Sequence, residues 1–160
     1  MTTLNTNWTL WSHNLNNKDW SINGYKKIYT MSTVEEFWRL NNKLNLNIIQ
    51  NEMLFFMKND IQPLWENKEN INGGCWSYKI SKKEAYLSWI EICMALCSEI
   101  LIEETYNNII NGVSISSKKN FCIIKIWTND SVHKNSNLLN KNIYNLNNIA
   151  CLYKSHNERG

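Results

Sequence analysis

Two neighbouring segments in the C-terminal half of the chain alternate between apolar and polar residues with a period of two. In the run 109–118, Val113 and Ile115 alternate with serines, and the run 121–129 has the same pattern. Because successive side chains of a strand point to opposite faces, each run predicts a strand with one apolar face. The other face carries serine, lysine and tryptophan. We therefore expect the apolar face to pack against helices.

Two capping sequences predict those helices. A Ser-Thr pair followed by Glu35 and Glu36 forms a capping box for a helix over about 33–44, and Ser81 starts a second helix that runs to about Ile102. Short strands are expected at about 8–12 and 25–30, and a polar, partly helical stretch at 133–146. A last strand is expected from about Ile149. The predicted fold class is α+β, an antiparallel sheet with two to three helices on one face.

Composition limits the classes of function. At 160 residues the chain suffices for one core, so we expect a single domain over 1–160 that acts as a monomer. The net charge of +3 permits a phosphate-bearing ligand but predicts no broad nucleic-acid surface. No apolar run approaches twenty residues, which argues against secretion and membrane spanning and favours the cytoplasm. Five cysteines without zinc or redox spacing predict reduced, mostly buried thiols, no metal and no cofactor: Cys75, Cys93, Cys97, Cys122 and Cys151.

One loop combines an aromatic surface with a carboxylate. Pro63, the single proline, ends the apolar run 53–57 as a strand and starts a loop that carries Trp65 and Glu66. A guanine base can stack on an indole while its N1–H and 2-amino group donate to a carboxylate. A second indole, Trp20, lies in a polar loop. It either forms the opposite stacking face or folds back as a lid on the core.

The two predicted helices carry apolar residues beyond those that face the core. Val34 and Trp38 lie four residues apart on the first helix, and Ile90 and Met94 form a similar pair beside Glu91 on the second. Exposed apolar residues on adjacent helices indicate a groove for an amphipathic partner helix. The alternative is that Trp38 is half-buried in helix packing.

Eight tryptophans and their neighbours form an ordered series: Trp8 and Trp11, Trp20, the segments 32–38, 61–66, 73–76, 89–91 and 126–128. Their order and spacing resemble the eukaryotic translation initiation factor 4E family, whose members bind the 7-methylguanosine cap of mRNA. The resemblance runs from about residue 7 to residue 156. It implies a curved antiparallel sheet with helices on its convex face, and no enzymatic activity. It also implies that Trp20 and Trp65 sandwich the base, that Glu66 reads the guanine edge, and that Trp127 contacts the cap methyl group.

The resemblance weakens at the positions that bind cap phosphates. Lys118 matches an arginine of the family, and Lys119 and Lys125 are candidates to replace further basic residues that are absent. Those absent residues align with Cys75, Asn120 and Ile123. The protein therefore either binds caps more weakly or binds a cap that differs beyond the base. Cys75 is also a candidate pocket residue, and His156 either lines the pocket or is a solvated tail residue.

The resemblance implies an initiation scaffold or repressor partner that carries a tyrosine-to-leucine helical motif. Val34, Trp38, Ile90, Glu91 and Met94 match the family positions that bind it, whereas Thr2-Thr3 replaces a His-Pro pair. A repressor or decoy that holds the cap and ignores the scaffold is the main alternative. A decapping enzyme is a third possibility, but the chain shows no clustered carboxylates for metal-assisted hydrolysis.

The family's C-terminal loop over the phosphates has no counterpart after His156. Together with the abundant Asn and Ile, this predicts a minimal member from an AT-rich source, either a virus acting in host cytoplasm or a parasitic or amoeboid eukaryote.

Overall fold

The computed structural model describes residues 1–143, 146 and 151–158. Seven strands form one antiparallel sheet in the order β2-β1-β3-β5-β6-β4-β7. The strands are β1 (Thr3–Asn14), β2 (Lys26–Thr33), β3 (Glu52–Lys58), β4 (Gly74–Ile80), β5 (Ile110–Ser117), β6 (Cys122–Thr128) and β7 (Leu152–Ser155). The sheet is curved, and the α+β class expected from the sequence is confirmed.

Three α-helices lie in the described part of the chain: α1 (Val34–Asn41), α2 (Leu46–Asn51) and α3 (Lys82–Cys97). The expected caps are present, because the hydroxyls of Thr33 and Ser81 accept from the backbone N–H groups of Glu36 and Glu84. Both predicted helices were too long. The chain turns after Asn41 and starts α2, which the sequence did not predict.

The second helix ends well before Ile102 for a local reason. Ser98 caps α3, and Glu99 adopts a left-handed backbone with φ of 59°, which ends the helical path. In the described part of 133–146 the expected helix is only a 3-10 turn, Ser136–Leu138. The last strand begins at Leu152, and Ile149 lies outside the described residues.

The two faces of the sheet carry different clusters. The convex face holds the large core, in which Val113, Ile115 and Ile126 pack under α3. The concave face holds a smaller cluster of Trp11, Phe55, Met57, Cys75 and Trp127. The alternation of β5 and β6 is confirmed, since Val113, Ile115 and Ile126 enter the large core, whereas the serines, Ile123, Lys125 and Trp127 face the concave side. The loops that join β1 to β2 and β3 to β4 border this concave side.

Among the described residues, the helices are too short or too polar to cross a membrane. The same part of the chain contains no group of three or more His, Cys, Asp or Glu side chains that is placed to hold a metal ion. All five cysteines are free, and Cys75, Cys93 and Cys122 are buried. Burial raises the pKa of Cys97 to about 12, so its thiol is protonated at neutral pH.

Candidate functional site

A cavity of about 440 Å³ opens on the concave face of the sheet. Its wall brings together residues from the β1–β2 loop, the β3–β4 loop and strands β3, β5 and β6. Trp20, Trp65, Glu66 and Trp127, which the sequence assigned to base recognition, all line it. Its size suits a small organic ligand, for which pockets of roughly 300–1,000 Å³ are usual.

Trp20 lies on one side of the cavity. Its indole is 49% exposed, so it does not fold into the core as the alternative interpretation required. The ring stacks on the imidazole of His13, with centroids 3.9 Å apart, and meets Tyr25 edge-on. Neither neighbour could be predicted from the sequence, because no local pattern links them to Trp20.

Trp65 and Glu66 lie on the β3–β4 loop, as predicted. The preceding strand does not end at Pro63, however: it ends at Lys58, where Asn59 adopts a left-handed backbone with φ of 50°. Pro63 is buried, whereas the indole of Trp65 is 36% exposed and Glu66 is exposed. This places an aromatic face and a carboxylate side by side on the cavity wall. The arrangement can stack a planar ring and accept hydrogen bonds from its edge.

Two asparagines hold this loop against the sheet. Asn70 is fully buried, and its Nδ2 donates to the carbonyl oxygens of Gln62 at 3.1 Å and Leu64 at 2.9 Å. Asn111 Nδ2 donates in turn to Asn70 Oδ1 at 2.9 Å and to the carbonyl oxygen of Glu69 at 2.8 Å. The backbone on both sides of Trp65 is thereby anchored to β5.

A β-bulge directs Asn111 to this loop. In the β5–β6 pair, Ile110 lies opposite Thr128 and Gly112 opposite Trp127, so Asn111 is the extra residue. A Cβ atom at Gly112 would lie 2.5 Å from the carbonyl oxygen of Phe56, so glycine is required where β5 approaches β3. Neither asparagine was predicted as part of the site, because nothing in the local sequence distinguishes Asn70 and Asn111 from the many other asparagines of the chain.

Trp127 forms the floor of the cavity and is 6% exposed. Its Nε1 donates to Ser114 Oγ at 3.0 Å, and its ring packs edge-on against Phe55. His156 packs against the same indole, with centroids 5.4 Å apart, and Cys75 Sγ lies 4.0 Å from His156 Nε2.

The expectation that His156 and Cys75 line the pocket was wrong. Both are buried and absent from the cavity wall, and the idea that His156 is a solvated tail residue also fails, since it is only 3% exposed. The backbone N–H of His156 donates to the carbonyl oxygen of Gly73 at 2.9 Å. The two residues instead support Trp127 from the side.

Two of the three candidate phosphate-binding lysines reach the cavity. Lys118 and Lys125 line it, whereas Lys119 does not and is exposed in the β5–β6 turn. Lys118 begins that turn, and its backbone N–H donates to the carbonyl oxygen of Phe121. Lys119, the next residue of the turn, lies outside the cavity wall. Ile123, where the family has a basic residue, forms an apolar part of the wall. The wall therefore includes two lysines, Lys118 and Lys125, together with the indoles.

A second cavity, of about 230 Å³, lies on the convex side between the N-terminal segment, α1 and α3. Val34, Trp38 and Met94 line it, and Trp38 is 42% exposed, so that residue is not hidden in helix packing. Ile90 and Glu91, also predicted for this surface, are partly buried and do not line the cavity. Ile90 packs against the large core instead.

The N-terminal segment forms the rim of this second cavity. Thr2 and Thr3 line it, and the Thr2 N–H donates to both carboxylate oxygens of Glu35, at 3.0 and 3.1 Å. A hydrogen bond from the backbone N–H of Glu35 itself lowers the pKa of its carboxyl group most, and the hydrogen bond from the Thr2 N–H lowers it further. The first residues of the chain are thus tied to the start of α1.

Comparison with known proteins agrees with this architecture. The sequence model described as eukaryotic initiation factor 4E matches residues 3–160. Eukaryotic translation initiation factor 4E-1 of Caenorhabditis elegans is 35% identical over 144 residues, which cover 84% of this chain and 66% of that protein. Eukaryotic translation initiation factor 4E of Saccharomyces cerevisiae is 31% identical over 134 residues, covering 78% and 61%. The chain spans about two thirds or less of the length of these relatives.

Solved structures show the same fold. The complex of Ascaris suum eIF4E-3 with the m2,2,7G cap matches with a TM-score of 0.74 at 25% identity, over 82% of this chain and 76% of that one. The complex of C. elegans eIF4E-3 with the 4E-binding protein Mextli and cap analog matches with a TM-score of 0.73 at 25% identity, over 81% and 75%. On its sequence, its seven-stranded sheet and these relatives, the chain belongs to the eukaryotic initiation factor 4E family.

Proposed function

We propose that this chain binds the 7-methylguanosine cap of mRNA on its concave face, without catalysing a reaction. The observation that carries the proposal is the pair of exposed indoles, Trp20 and Trp65, which come from separate loops and border one cavity beside Glu66. In the proposed complex the indoles stack on the two faces of the base. The Glu66 carboxylate accepts from N1–H and the 2-amino group, and Trp127 contacts the methyl group from the floor.

Energetics favour a methylated base over plain guanine in such a site. Stacking contributes roughly 1–3 kcal/mol per base, and hydrogen bonds to a charged acceptor about 1.5–3 kcal/mol, for either base. Methylation at N7 makes the base cationic, and each indole face then adds about 0.5–2 kcal/mol of cation–π attraction. Because each of the two indoles adds this contribution, discrimination of the methylated base from plain guanine depends on both Trp20 and Trp65.

Lys118 and Lys125 would contact the phosphates that follow the base. Both line the cavity and carry compact positive charges that suit phosphate oxygens. The complexes of related proteins with the m2,2,7G cap and with a cap analog support a cap as the ligand class. With only two ammonium groups at the wall, we expect the triphosphate to contribute less than the base.

We further propose that the convex cavity binds a helical segment of a translation initiation scaffold. Val34, Trp38 and Met94 form an apolar wall beside the N-terminal segment, as an amphipathic helix requires. The C. elegans relative in complex with the 4E-binding protein Mextli supports a protein partner. Together the two sites would join capped mRNA to the initiation machinery in the cytoplasm.

Tryptophan fluorescence quenching by 7-methyl-GTP, compared with GTP, tests the cap site. We expect the methylated nucleotide to bind at least about tenfold more tightly, which corresponds to roughly 1.4 kcal/mol and lies within the cation–π contribution of two indoles. Trp65→Ala and Glu66→Gln should abolish detectable quenching. Trp38→Ala, on the opposite face, is the matched control and should bind normally.

Equal affinity for GTP and 7-methyl-GTP would refute stacking on two indoles. Binding of a trimethylated cap in preference to 7-methyl-GTP would instead identify a modified cap as the ligand. Such a cap has lost the hydrogens of its 2-amino group, so Glu66 would then accept from N1–H alone.

A repressor or decoy is the second candidate role, and the rim of the convex cavity favours it. Thr2 and Thr3 line that cavity and are tied to α1 through Glu35, so a partner meets a rim built from threonines. A pull-down with a scaffold peptide that carries the tyrosine-to-leucine motif separates the roles. Retention of the peptide, and its loss with Trp38→Ala, supports an initiation factor. Cap retention without peptide binding supports the repressor.

A further inference from the structure

His13 lies directly behind Trp20, where β1 leads into the β1–β2 loop. Its imidazole is parallel to the indole within 1°, with ring centroids 3.9 Å apart. The imidazole is buried, at 1% exposed, whereas the indole is 49% exposed. The imidazole therefore covers one face of Trp20 and leaves the other face for a ligand in the cavity.

Both ring nitrogens of His13 meet backbone carbonyl oxygens. Nε2 lies 2.7 Å from the carbonyl oxygen of Asp19, and Nδ1 lies 2.9 Å from that of Asn14. A carbonyl oxygen only accepts, so a ring nitrogen bonds to one only as N–H, and we assign the hydrogen to Nε2, which makes the shorter contact. The bond from Nε2–H acts on Trp20 directly, because Asp19 is the preceding residue.

The surroundings of the Asp19 carbonyl leave little room for another arrangement. A Cβ atom at Gly24 would lie 1.8 Å from this oxygen and 3.1 Å from His13 Nε2, so glycine is required beside this hydrogen bond. The Asp19 carboxylate accepts from Ser21 N at 3.0 Å and from Ser21 Oγ at 2.6 Å, which closes the turn after Trp20. Tyr25 meets the imidazole edge-on, with centroids 4.8 Å apart.

We propose that His13 is a positioning residue of the binding site. Its Nε2–H holds the Asp19 carbonyl, and its ring supports Trp20 in the orientation that stacks on the ligand. This inference rests on the proposed function, since the ligand is the base assigned there. A loop that is ordered before binding loses less conformational entropy when the ligand arrives, so His13 raises affinity without touching the ligand.

Two amide substitutions test the bond without removing polarity. The side-chain nitrogen of glutamine reaches about as far as Nε2, whereas that of asparagine reaches only about as far as Nδ1. In titrations with 7-methyl-GTP we expect His13→Gln to stay within about threefold of the wild type. His13→Asn should lose about tenfold or more, the usual effect of one lost hydrogen bond. His13→Phe keeps an aromatic ring but has no hydrogen-bond donor, so it should lose as much affinity for 7-methyl-GTP as His13→Asn.

A double-mutant cycle with Trp20→Ala shows whether His13 acts through Trp20. In the Trp20→Ala background the glutamine and asparagine variants should bind equally, because the group that they position is gone. An asparagine variant that weakens binding as much without Trp20 would assign His13 a general structural role and overturn the proposal. Wild-type affinity in His13→Phe would show that the hydrogen bond is dispensable, and would equally overturn it.

A measurement without ligand keeps this inference separate from the proposed function. In NMR spectra of the free protein, the Nε2-bound hydrogen of His13 should be protected from exchange, and Trp20→Ala should shift the imidazole Cε1–H signal by removing the ring current. If the wild type bound no methylated nucleotide, the proposed function would fail, while these signals would still decide whether His13 holds Trp20. An unprotected hydrogen and an unchanged Cε1–H shift would refute the contact.

Discussion

At the scale of single residues, the cavity depends on buried amides as much as on the aromatic groups that line it. Asn70 bonds two carbonyl oxygens of the loop that carries Trp65 and accepts from Asn111 on β5. One side chain thus joins three polar groups, two on the loop and one on β5. Each such hydrogen bond contributes about 0.5–1.5 kcal/mol to stability.

We predict that Asn70→Ala weakens cap binding by about tenfold or more and also lowers the melting temperature, because the loop loses its anchor to β5. Asn70→Asp keeps an acceptor for Asn111 but cannot donate to the two carbonyl oxygens, so it should bind the cap as weakly as Asn70→Ala. The measurements are 7-methyl-GTP titration and thermal unfolding. Asn72→Ala, an exposed asparagine of the same loop, is the control and should match the wild type. Normal binding by Asn70→Asp would show that the donated bonds are unimportant.

At the scale of elements, the start of α1 is stabilised by one carboxylate. Glu36 accepts hydrogen bonds from the Tyr29 hydroxyl, from the backbone and side chain of Ser32, and from the Thr33 hydroxyl. These bonds, with Tyr29 contributing most, lower the pKa of Glu36 from 4.5 to about 2. The cap joins β2 to α1, the helix that carries Trp38 on the convex side.

This arrangement predicts an acid dependence of stability. Because the pKa of Glu36 is lower in the folded protein than in the unfolded chain, its contribution is present above pH 4.5 and is lost as the pH falls from about 4.5 to about 2. Glu36→Gln should therefore be less stable than the wild type at pH 6, with the difference narrowing towards pH 2.5. Urea denaturation at several pH values measures the free energy of unfolding. Glu103→Gln, an exposed position outside the cap, is the control, and a Glu36→Gln curve parallel to the wild type would contradict the prediction.

At the scale of the whole molecule, the cavity joins parts of the chain that are distant in sequence. Its wall includes Trp20 from the β1–β2 loop, Trp65 from the β3–β4 loop, and Trp127 from β6. The sheet order places β3 and β5 side by side at the centre, so both loops and the β5–β6 hairpin border one concavity. A ligand held by all three would link these elements.

A ligand that binds only the folded chain stabilises it by about 2.7 kcal/mol at a hundred times its dissociation constant. For a domain of this length we predict that 7-methyl-GTP at that ratio raises the melting temperature by about 5–11 °C. Thermal unfolding with and without the nucleotide measures this effect. Trp38→Ala should show the same rise and Trp65→Ala none, and a rise that persists in Trp65→Ala would indicate binding elsewhere.

Much of the fold was predictable because the signals for it are local. The period of two in β5 and β6 and the capping residues of α1 and α3 each act over a few residues and were confirmed. The order and spacing of the tryptophans can be read directly from the sequence, and they identified the family. Helix ends were less predictable, because Glu99 ends α3 by its backbone conformation, which no sequence pattern indicated.

The sequence by itself determined most of the strands, the starts of α1 and α3, the loops that carry Trp20 and Trp65, and the family to which the chain belongs. Only the tertiary structure decided that Lys119 lies outside the cavity wall, that His156 and Cys75 are buried beside Trp127, and that His13 stacks on Trp20. It also brought Asn70 and Asn111 together through a bulge in β5. The physical reason is the distance along the sequence over which each signal acts. Periodicity and capping are properties of neighbouring residues, whereas these contacts depend on strand order and register, which only the assembled sheet defines.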